Sequence, residues 1–442
     1  MKILFICTAF APENEIGCIR TTKLAKYLVR NGHEVTVISP TITEGMNVSD
    51  DLMSEEIKNL NHIYVSYSKA FYSLLYRKRN SLTASGKKTQ MRRQRAGLKK
   101  VIYRLAEDMY TDIRNEDWYL QVRRILEKIP DRFDLVFSSY PSISSHWAAC
   151  FARKKGIAEC WIADFRDPLV LESSTGAARM KQVKRQSHIV HEADAVTHVS
   201  RAGVESFICK PEDHHKVKWI PNGYDEDDFE YVGAAPEYQK SQADQCLLFS
   251  YAGGLYAGER DCSPLFKAIR ELIDEGKIKS DYIRFHYAGR DFGILKSQAE
   301  KYHVEEILDD RGLIPRKDAL AMQAQSDCVV VATFCYQDHG GAMTGKIYEP
   351  IMMRKPILLL VSGPGKESEP GEFVNYLNAG TVYEQSTMSE DVSSVKKMIL
   401  TMLEEKRRDG VVKSGIDEER RGRFEYSTIA QNLLECVTAK HN

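Results

Sequence analysis

Four apolar residues in succession, Ile3-Leu4-Phe5-Ile6, stand at the start of the chain. An unbroken run of this kind suits a strand covered on both faces, as in a parallel sheet, rather than one with a wet face. After a loop from Thr8 to Gly17 that holds Pro12, the residues Leu24, Ala25, Leu28 and Val29 recur at helical spacing. Asn31-Gly32 stops that helix, and Val35-Thr36-Val37-Ile38 reads as the next strand. Strand, helix and strand in this order form a βαβ unit, so the fold class is α/β with a parallel sheet. The Met1 segment has no small-residue cleavage site and reads as a first strand, not as a signal peptide.

The alternation returns at Leu135-Val136-Phe137, Trp161-Ile162-Ala163 and Val196-Thr197-His198-Val199. A polar stretch from Trp219 to Gln245, rich in Asp, Glu, Gly and Gln, separates these from a second set. That set comprises the run Leu247 to Ala252, then Phe285-His286-Tyr287, Val329-Val330-Val331 and Ile357 to Leu360. A chain of 442 residues is too long for one ordinary core. The expectation is two doubly wound, Rossmann-like domains facing each other across a cleft, over residues 1–215 and 216–415. Ligands of such folds sit at the carboxyl ends of the strands.

Lys and Arg number 62 against 62 Asp and Glu, which excludes a globally basic nucleic-acid binder. No stretch approaches the ~20 apolar residues of a membrane span. The ten cysteines form no C-x-x-C pair, so reduced thiols in the cytosol are expected and a zinc site is not. One segment departs from this balance: between Arg77 and Arg104 there are eleven basic residues and no acidic one, with Phe71, Tyr72, Leu74, Leu75 and Tyr76 just before it. It reads either as a solvated insertion or as a surface arm that docks anionic lipid. RNA binding is the weakest reading, because stacking motifs are absent.

Four constellations could carry chemistry. His339-Gly340-Gly341-Ala342-Met343-Thr344-Gly345-Lys346-Ile347-Tyr348-Glu349 is a glycine-rich turn opening a helix, which offers backbone N–H groups and a positive dipole end to a diphosphate. Lys346 and Glu349 share one helical face there, as phosphate and ribose partners or as a plain surface pair. In the second, Tyr251-Ala252-Gly253-Gly254, a strand ends in glycines that let backbone approach a ligand, with Arg260 available to clamp a leaving diphosphate. The third, Asp164-Phe165-Arg166-Asp167, sets two carboxylates about an arginine after a strand, for base chemistry or as a structural ion pair. Gly17 and Arg20 of the first loop would suit an anionic substrate. Neither G-x-G-x-x-G nor a P-loop is present, so a nicotinamide cofactor and a P-loop NTPase are not signalled. His214-His215 and the run Asp225-Glu226-Asp227-Asp228 could hint at a metal, but a solvated acidic loop accounts for the run better.

These pieces, in this order, resemble glycosyltransferase family 4, the group 1 glycosyltransferases with the GT-B fold, in their bacterial surface-polysaccharide branch. The first forty residues, including NGHEVTVI, are similar to that family's first β-loop-α-β. WIADFRDP, ADAVTHVSRAGVESF, KWIPNGYDEDDF, SYAGGLY and GKIYEPIMMRKPILLLV resemble its later landmarks. The resemblance covers nearly the whole chain apart from the basic insertion. It implies a retaining transferase that takes a sugar from a nucleotide-diphosphate sugar held by the second domain. The acceptor would be a glycan or a polyprenyl-diphosphate-linked glycan bound by the first. It also implies no bound metal and a C-terminal segment, 416–442, whose helix returns to the first domain. The setting would be cytoplasmic or peripheral on the inner face of the plasma membrane, with segment 77–104 at an anionic membrane surface.

Carried over by residue, the donor-binding candidates are Gly253, Gly254, Arg260, Gly345, Lys346, Tyr348 and Glu349. Glu349 matches the second glutamate of the family's E-x7-E motif. The catalytic candidates are Asp164, Arg166 and Asp167, and the acceptor-binding candidates Gly17 and Arg20. The chain departs from the pattern at Gly341, where the first glutamate of that motif would fall, and at Gly254, where an arginine is common. The missing glutamate leaves a non-catalytic binding subunit as an alternative, and a GT-B nucleotide-sugar 2-epimerase is the other.

Overall fold

The computed structural model describes all residues except 14–15, 42–52, 54–55, 59, 74–97, 172–173, 209, 234–245, 257 and 439–442. The chain forms two compact units. The first comprises Met1–Val199, Gly203–Ile220 and Ala430–Asn442, and the second Ser200–Ala202 and Pro221–Ile429.

The first unit is built on strands β1 (Lys2–Cys7), β2 (Glu34–Pro40), β3 (Asn61–Val65), β4 (Phe133–Tyr140), β5 (Ala158–Phe165), β6 (Ala195–His198) and β7 (Val217–Trp219). All pair in parallel, in the order β3-β2-β1-β4-β5-β6-β7. The apolar run of β1 is wholly buried, as its lack of alternation requires. Helix α1 (Ile16–Arg30) lays Leu24 and Leu28 into the core. Helix α2 (Leu98–Leu126) is tied to β3 by Trp118, whose Nε1 donates to the Val65 carbonyl at 3.1 Å. The unit runs five residues past the expected limit of 215, to Ile220, because β7 pairs with β6 and completes the sheet.

The second unit carries β8 (Leu247–Ala252), β9 (Ile283–Ala288), β10 (Leu308–Asp310), β11 (Cys328–Phe334), β12 (Ile357–Ser362) and β13 (Gly380–Glu384). These too are all parallel, in the order β10-β9-β8-β11-β12-β13. Helices α3 (Ser263–Asp274) and α4 (Ser393–Asp409) cover one face with Leu265, Ile269, Val395 and Ile399. The beginning and end of this unit are zipped together: Tyr224 N donates to the Phe424 carbonyl at 3.0 Å, and Tyr426 N to the Tyr224 carbonyl at 2.9 Å. The acidic run is not a solvated loop. It opens the helix Glu226–Gly233, where Asp228 is buried against Arg316 at 2.8 Å and Glu226 meets Arg421 at 2.6 Å.

The lipid-docking expectation for segment 77–104 falls largely outside the described residues, and its last part, from Leu98, is the start of α2. Among the described residues, no helix is long and apolar enough to cross a membrane.

Candidate functional site

In the second sheet the strand order reverses between β8 and β11, which makes their carboxyl ends a topological switch point. The two glycine-bearing loops leave from there. Gly253 follows β8 directly, with φ of +124°, a conformation that only glycine adopts without strain. Lys346 comes from the loop after β11, and its amino group fills the space that a Cβ on Gly253 would take. Its Nζ also lies 5.3 Å from the centre of the Tyr251 ring. Arg260 turns back onto the same loop, with Nη1 donating to the Gly254 carbonyl at 2.8 Å and the guanidinium 4.6 Å from the Tyr256 ring centre. Among the described residues, no carboxylate forms an ion pair with either cation.

Two like charges on one loop create a repulsion that a bound anion would relieve. Lys346 registers it. Burial, and then the neighbouring Arg260, lower its pKa to about 8, against weaker support from Glu349 and Asp291. The loop is held rigidly for this: Tyr251 Oη donates to the Gly254 carbonyl at 3.0 Å, and Tyr287 Oη to the Gly253 carbonyl at 2.9 Å. Asp291 accepts from Leu255 N at 2.9 Å.

Other donor candidates stand differently. Gly345 begins a single 3-10 turn, Gly345–Ile347, capped by Thr344, and only the five-residue helix Tyr348–Met352 follows. The amides of Gly340 and Ala342 are already committed to the carbonyls of Gln337 and Phe334, at 3.1 and 3.0 Å. The expected cradle of free amides is therefore smaller than the sequence implied. Tyr348 is buried, with its ring against Phe373 and Phe424, so its side chain belongs to the core rather than to a ligand. Glu349 is half-buried and makes no ion pair with Lys346; its Oε2 accepts from Gln323 Nε2 at 2.8 Å.

Gly341, where the first glutamate of the E-x7-E motif would fall, has φ of +113°, and a Cβ there would lie 3.0 Å from Pro370 Cδ. A side chain does not fit this backbone. Gly341→Glu is expected to destabilise the protein by about 1–3 kcal/mol, read as a lowered thermal midpoint. An unchanged midpoint would show that the loop accepts a side chain after all.

In the first unit, the strand expected to end near Ala163 continues to Phe165, and this decides the fate of Asp164. Its side chain points into the sheet's interior at 0% exposure, and Arg20 from α1 reaches it there at 2% exposure. Arg20 Nη2 donates to Oδ1 at 2.8 Å and Nε to Oδ2 at 3.1 Å. Thr197 Oγ1 and Ser139 Oγ donate at 2.8 and 3.0 Å. Burial opposes the charge, but Arg20 and the two hydroxyls outweigh it and hold the carboxyl below its ordinary range. Arg20 also donates to the Ile220 carbonyl at 2.9 Å. Neither residue is placed to touch a substrate, so the structural ion-pair reading fits Asp164, and Arg20 is its partner rather than an acceptor contact. Arg166 is half-buried, bonding the Tyr140 carbonyl at 3.1 Å and the carbonyl of Gly17. Of the three catalytic candidates, Asp167 alone is exposed.

Sequence reasoning missed Gln323, which positions Glu349, and the Tyr287–Asp291 pair behind the glycine loop. Tyr251, two residues before Gly253, was the one supporting residue with a signal, since it lies within the same motif.

Residues 19–223 match the family model of the glycosyl transferase 4-like domain. A sequence comparison with curated proteins gives no match. Among solved structures, the chain is similar to Anabaena HepE in complex with UDP and glucose, with a TM-score of 0.59 and 14% identity over 99% of this chain and 100% of that one. Sucrose-phosphate synthase from Thermosynechococcus elongatus gives 0.60 and 11%, covering 100% and 99%. WaaG, a glycosyltransferase involved in lipopolysaccharide biosynthesis, gives 0.54 and 12%, covering 99% of each chain. Residues 19–223 thus carry a glycosyl transferase 4-like domain, and the whole chain has the GT-B fold of these structures.

Proposed function

We propose that the chain is a retaining transferase that moves a sugar from a nucleotide-diphosphate sugar to a hydroxyl of a glycan or lipid-linked glycan, in polysaccharide biosynthesis and without a metal. The observation that carries this is the pairing of Arg260 and Lys346, neither of which forms an ion pair among the described residues, on a rigid glycine loop at the switch point of the second sheet. A diphosphate would give both cations a negative partner. Glu349, fixed by Gln323, is the candidate for the ribose hydroxyls. HepE's complex with UDP and glucose, on the same fold, supports a uridine nucleotide as the first donor to try.

The chemistry is a front-face displacement. The bond from the anomeric carbon to the β-phosphate oxygen breaks while the acceptor oxygen bonds to that carbon, and the acceptor proton passes to the departing phosphate. Arg260 and Lys346 stabilise the charge that gathers on the leaving group. Asp167, the exposed carboxylate of its loop, is the remaining first-unit candidate for a substrate contact. A thermal-shift and hydrolysis panel of nucleotide sugars, run with EDTA throughout, tests the reading. One nucleotide sugar should raise the melting point and be hydrolysed slowly. No shift with any of them would defeat the donor site, and a shift without turnover would favour a binding subunit, as Gly341 allows.

The lowered pKa of Lys346 adds a further expectation. In the free protein the amine begins to lose its proton near pH 8, and a bound diphosphate pulls its pKa back up. Binding of UDP-glucose, whose two phosphates are both esterified and carry no group titrating in this range, should therefore take up a proton at pH 8–9 and almost none near pH 6.5. Calorimetry in buffers of differing ionisation enthalpy measures this, and Lys346→Met should abolish it.

A further inference from the structure

The first unit contains a cleft at the carboxyl ends of β1, β2 and β3, on the far side of that sheet's own switch point. It is lined by Thr8, Phe10, Ser39, Tyr64, Tyr67 and Arg114, among others. Two of these, Phe10 and Tyr64, belong to a stack of rings whose middle member, His62, lies behind the lining. His62 and Tyr64 are two apart on β3, so their side chains leave the same face of the strand, and the rings stack with centroids 3.9 Å apart and planes inclined by 29°. Phe10, from the loop after β1, meets His62 edge-on at 5.3 Å. His62 Nε2 shares a hydrogen bond with Ser39 Oγ at 2.8 Å, which fixes the ring from the neighbouring strand.

Burial lowers the pKa of His62 to about 4, so the imidazole is neutral at physiological pH and the stack is one of uncharged rings. Tyr64 caps this stack yet keeps 46% of its surface exposed. A lone exposed tyrosine on an edge strand is ordinary. A tyrosine ring backed by a second ring, itself pinned by a third and by a hydrogen bond, is a rigid platform whose ordering cost is met before any ligand arrives. The rim is polar: Arg114 Nε donates to Tyr67 Oη at 3.0 Å, which brings a guanidinium and a phenol together beside the platform.

We infer that this cleft binds a pyranose ring of the acceptor glycan, its apolar C–H face on Tyr64 and its hydroxyls toward Tyr67 and Arg114. A pyranose presents one flat apolar face and a rim of hydroxyls, and the cleft offers the complement of both. The acceptor role rests on the transferase reading; the sugar platform itself does not. It also relocates the acceptor site within the first unit, away from the buried Arg20.

The test uses the full chain and three probes: methyl α-D-glucoside, methyl β-D-galactoside and methyl β-D-glucuronide. Saturation-transfer NMR at millimolar concentration should show at least one of them bound through its axial C–H protons. Tyr64→Ala should weaken that binding about tenfold, the order expected for loss of an aromatic contact, while Tyr64→Phe retains it. The UDP-induced thermal shift, measured on the same samples, reports folding and the donor site separately. Glycoside binding that depends on Tyr64 without any UDP shift would keep the sugar platform and defeat the transferase reading. A UDP shift with no glycoside bound, or with binding indifferent to Tyr64→Ala, would overturn the platform and leave the donor site standing.

Discussion

Asp164→Ala is expected to destabilise the first unit by about 3–5 kcal/mol, the usual consequence of stranding one partner of a buried ion pair. Arg20 would keep the Ile220 carbonyl but lose the carboxylate that balances its charge, in a site from which water is almost excluded. The loss should appear in urea unfolding followed by tryptophan fluorescence, since Trp118 and Trp161 are both buried in this unit. The double variant Arg20→Met/Asp164→Leu, which removes both charges, should recover a large part of the stability. The pH dependence has a definite sign. The folded-state pKa of Asp164 is depressed, so its contribution is present above the unfolded value and is lost as acid brings pH down through the folded one. A catalytic base would behave otherwise: an Asp164→Ala protein with unaltered unfolding and abolished transfer would return Asp164 to the active site.

The history of Asp164 shows what was readable in the chain and what was not. Each strand found from sequence, such as Ile3 to Ile6 or Ile357 to Leu360, lies inside a sheet, where cover on both faces demands an unbroken apolar run. The four strands without a sequence signal, β3, β7, β10 and β13, are the four sheet edges, which carry polar or exposed residues such as Asn61, Lys218, Asp310 and Gly380. Strand ends were equally hidden, because pairing with a neighbour sets them. Asp164 lies opposite Ser139 and Thr197 in the flanking strands, and the same two residues supply its hydroxyl partners. Arg20 looked free for the same reason, its partner being 144 residues away. The glycine–cation site was legible because it is local: Gly253 needs its backbone conformation, and close approach of Lys346 needs Gly253.

Lys346→Met is expected to make the protein more stable and nearly inactive, and that opposition of signs is the fingerprint of a binding cation. The stability effect follows from the lowered pKa. Below pH 8 the folded state holds a charged amine that burial and Arg260 both disfavour, whereas the unfolded chain holds the same charge in water. Methionine keeps a similar length without that penalty, for a gain of about 1–2 kcal/mol once residual solvent screening is allowed for. Between pH 8 and 10.5 the folded lysine sheds its proton before the unfolded one does, so wild-type stability rises and the gap to the variant closes. The functional effect runs the other way. With Lys346 gone, the leaving diphosphate keeps Arg260 alone, and kcat/KM for donor hydrolysis or transfer should fall about 10²- to 10³-fold, as when one preorganised donor is removed from a developing charge. The nucleotide-induced thermal shift should fall with it. A variant that gains stability at neutral pH and loses nucleotide would mark Lys346 as a residue kept at a cost to the fold for the sake of a ligand. A variant less stable than wild type, with nucleotide binding intact, would make Lys346 a packing residue for the Tyr251 ring and leave the diphosphate without its site.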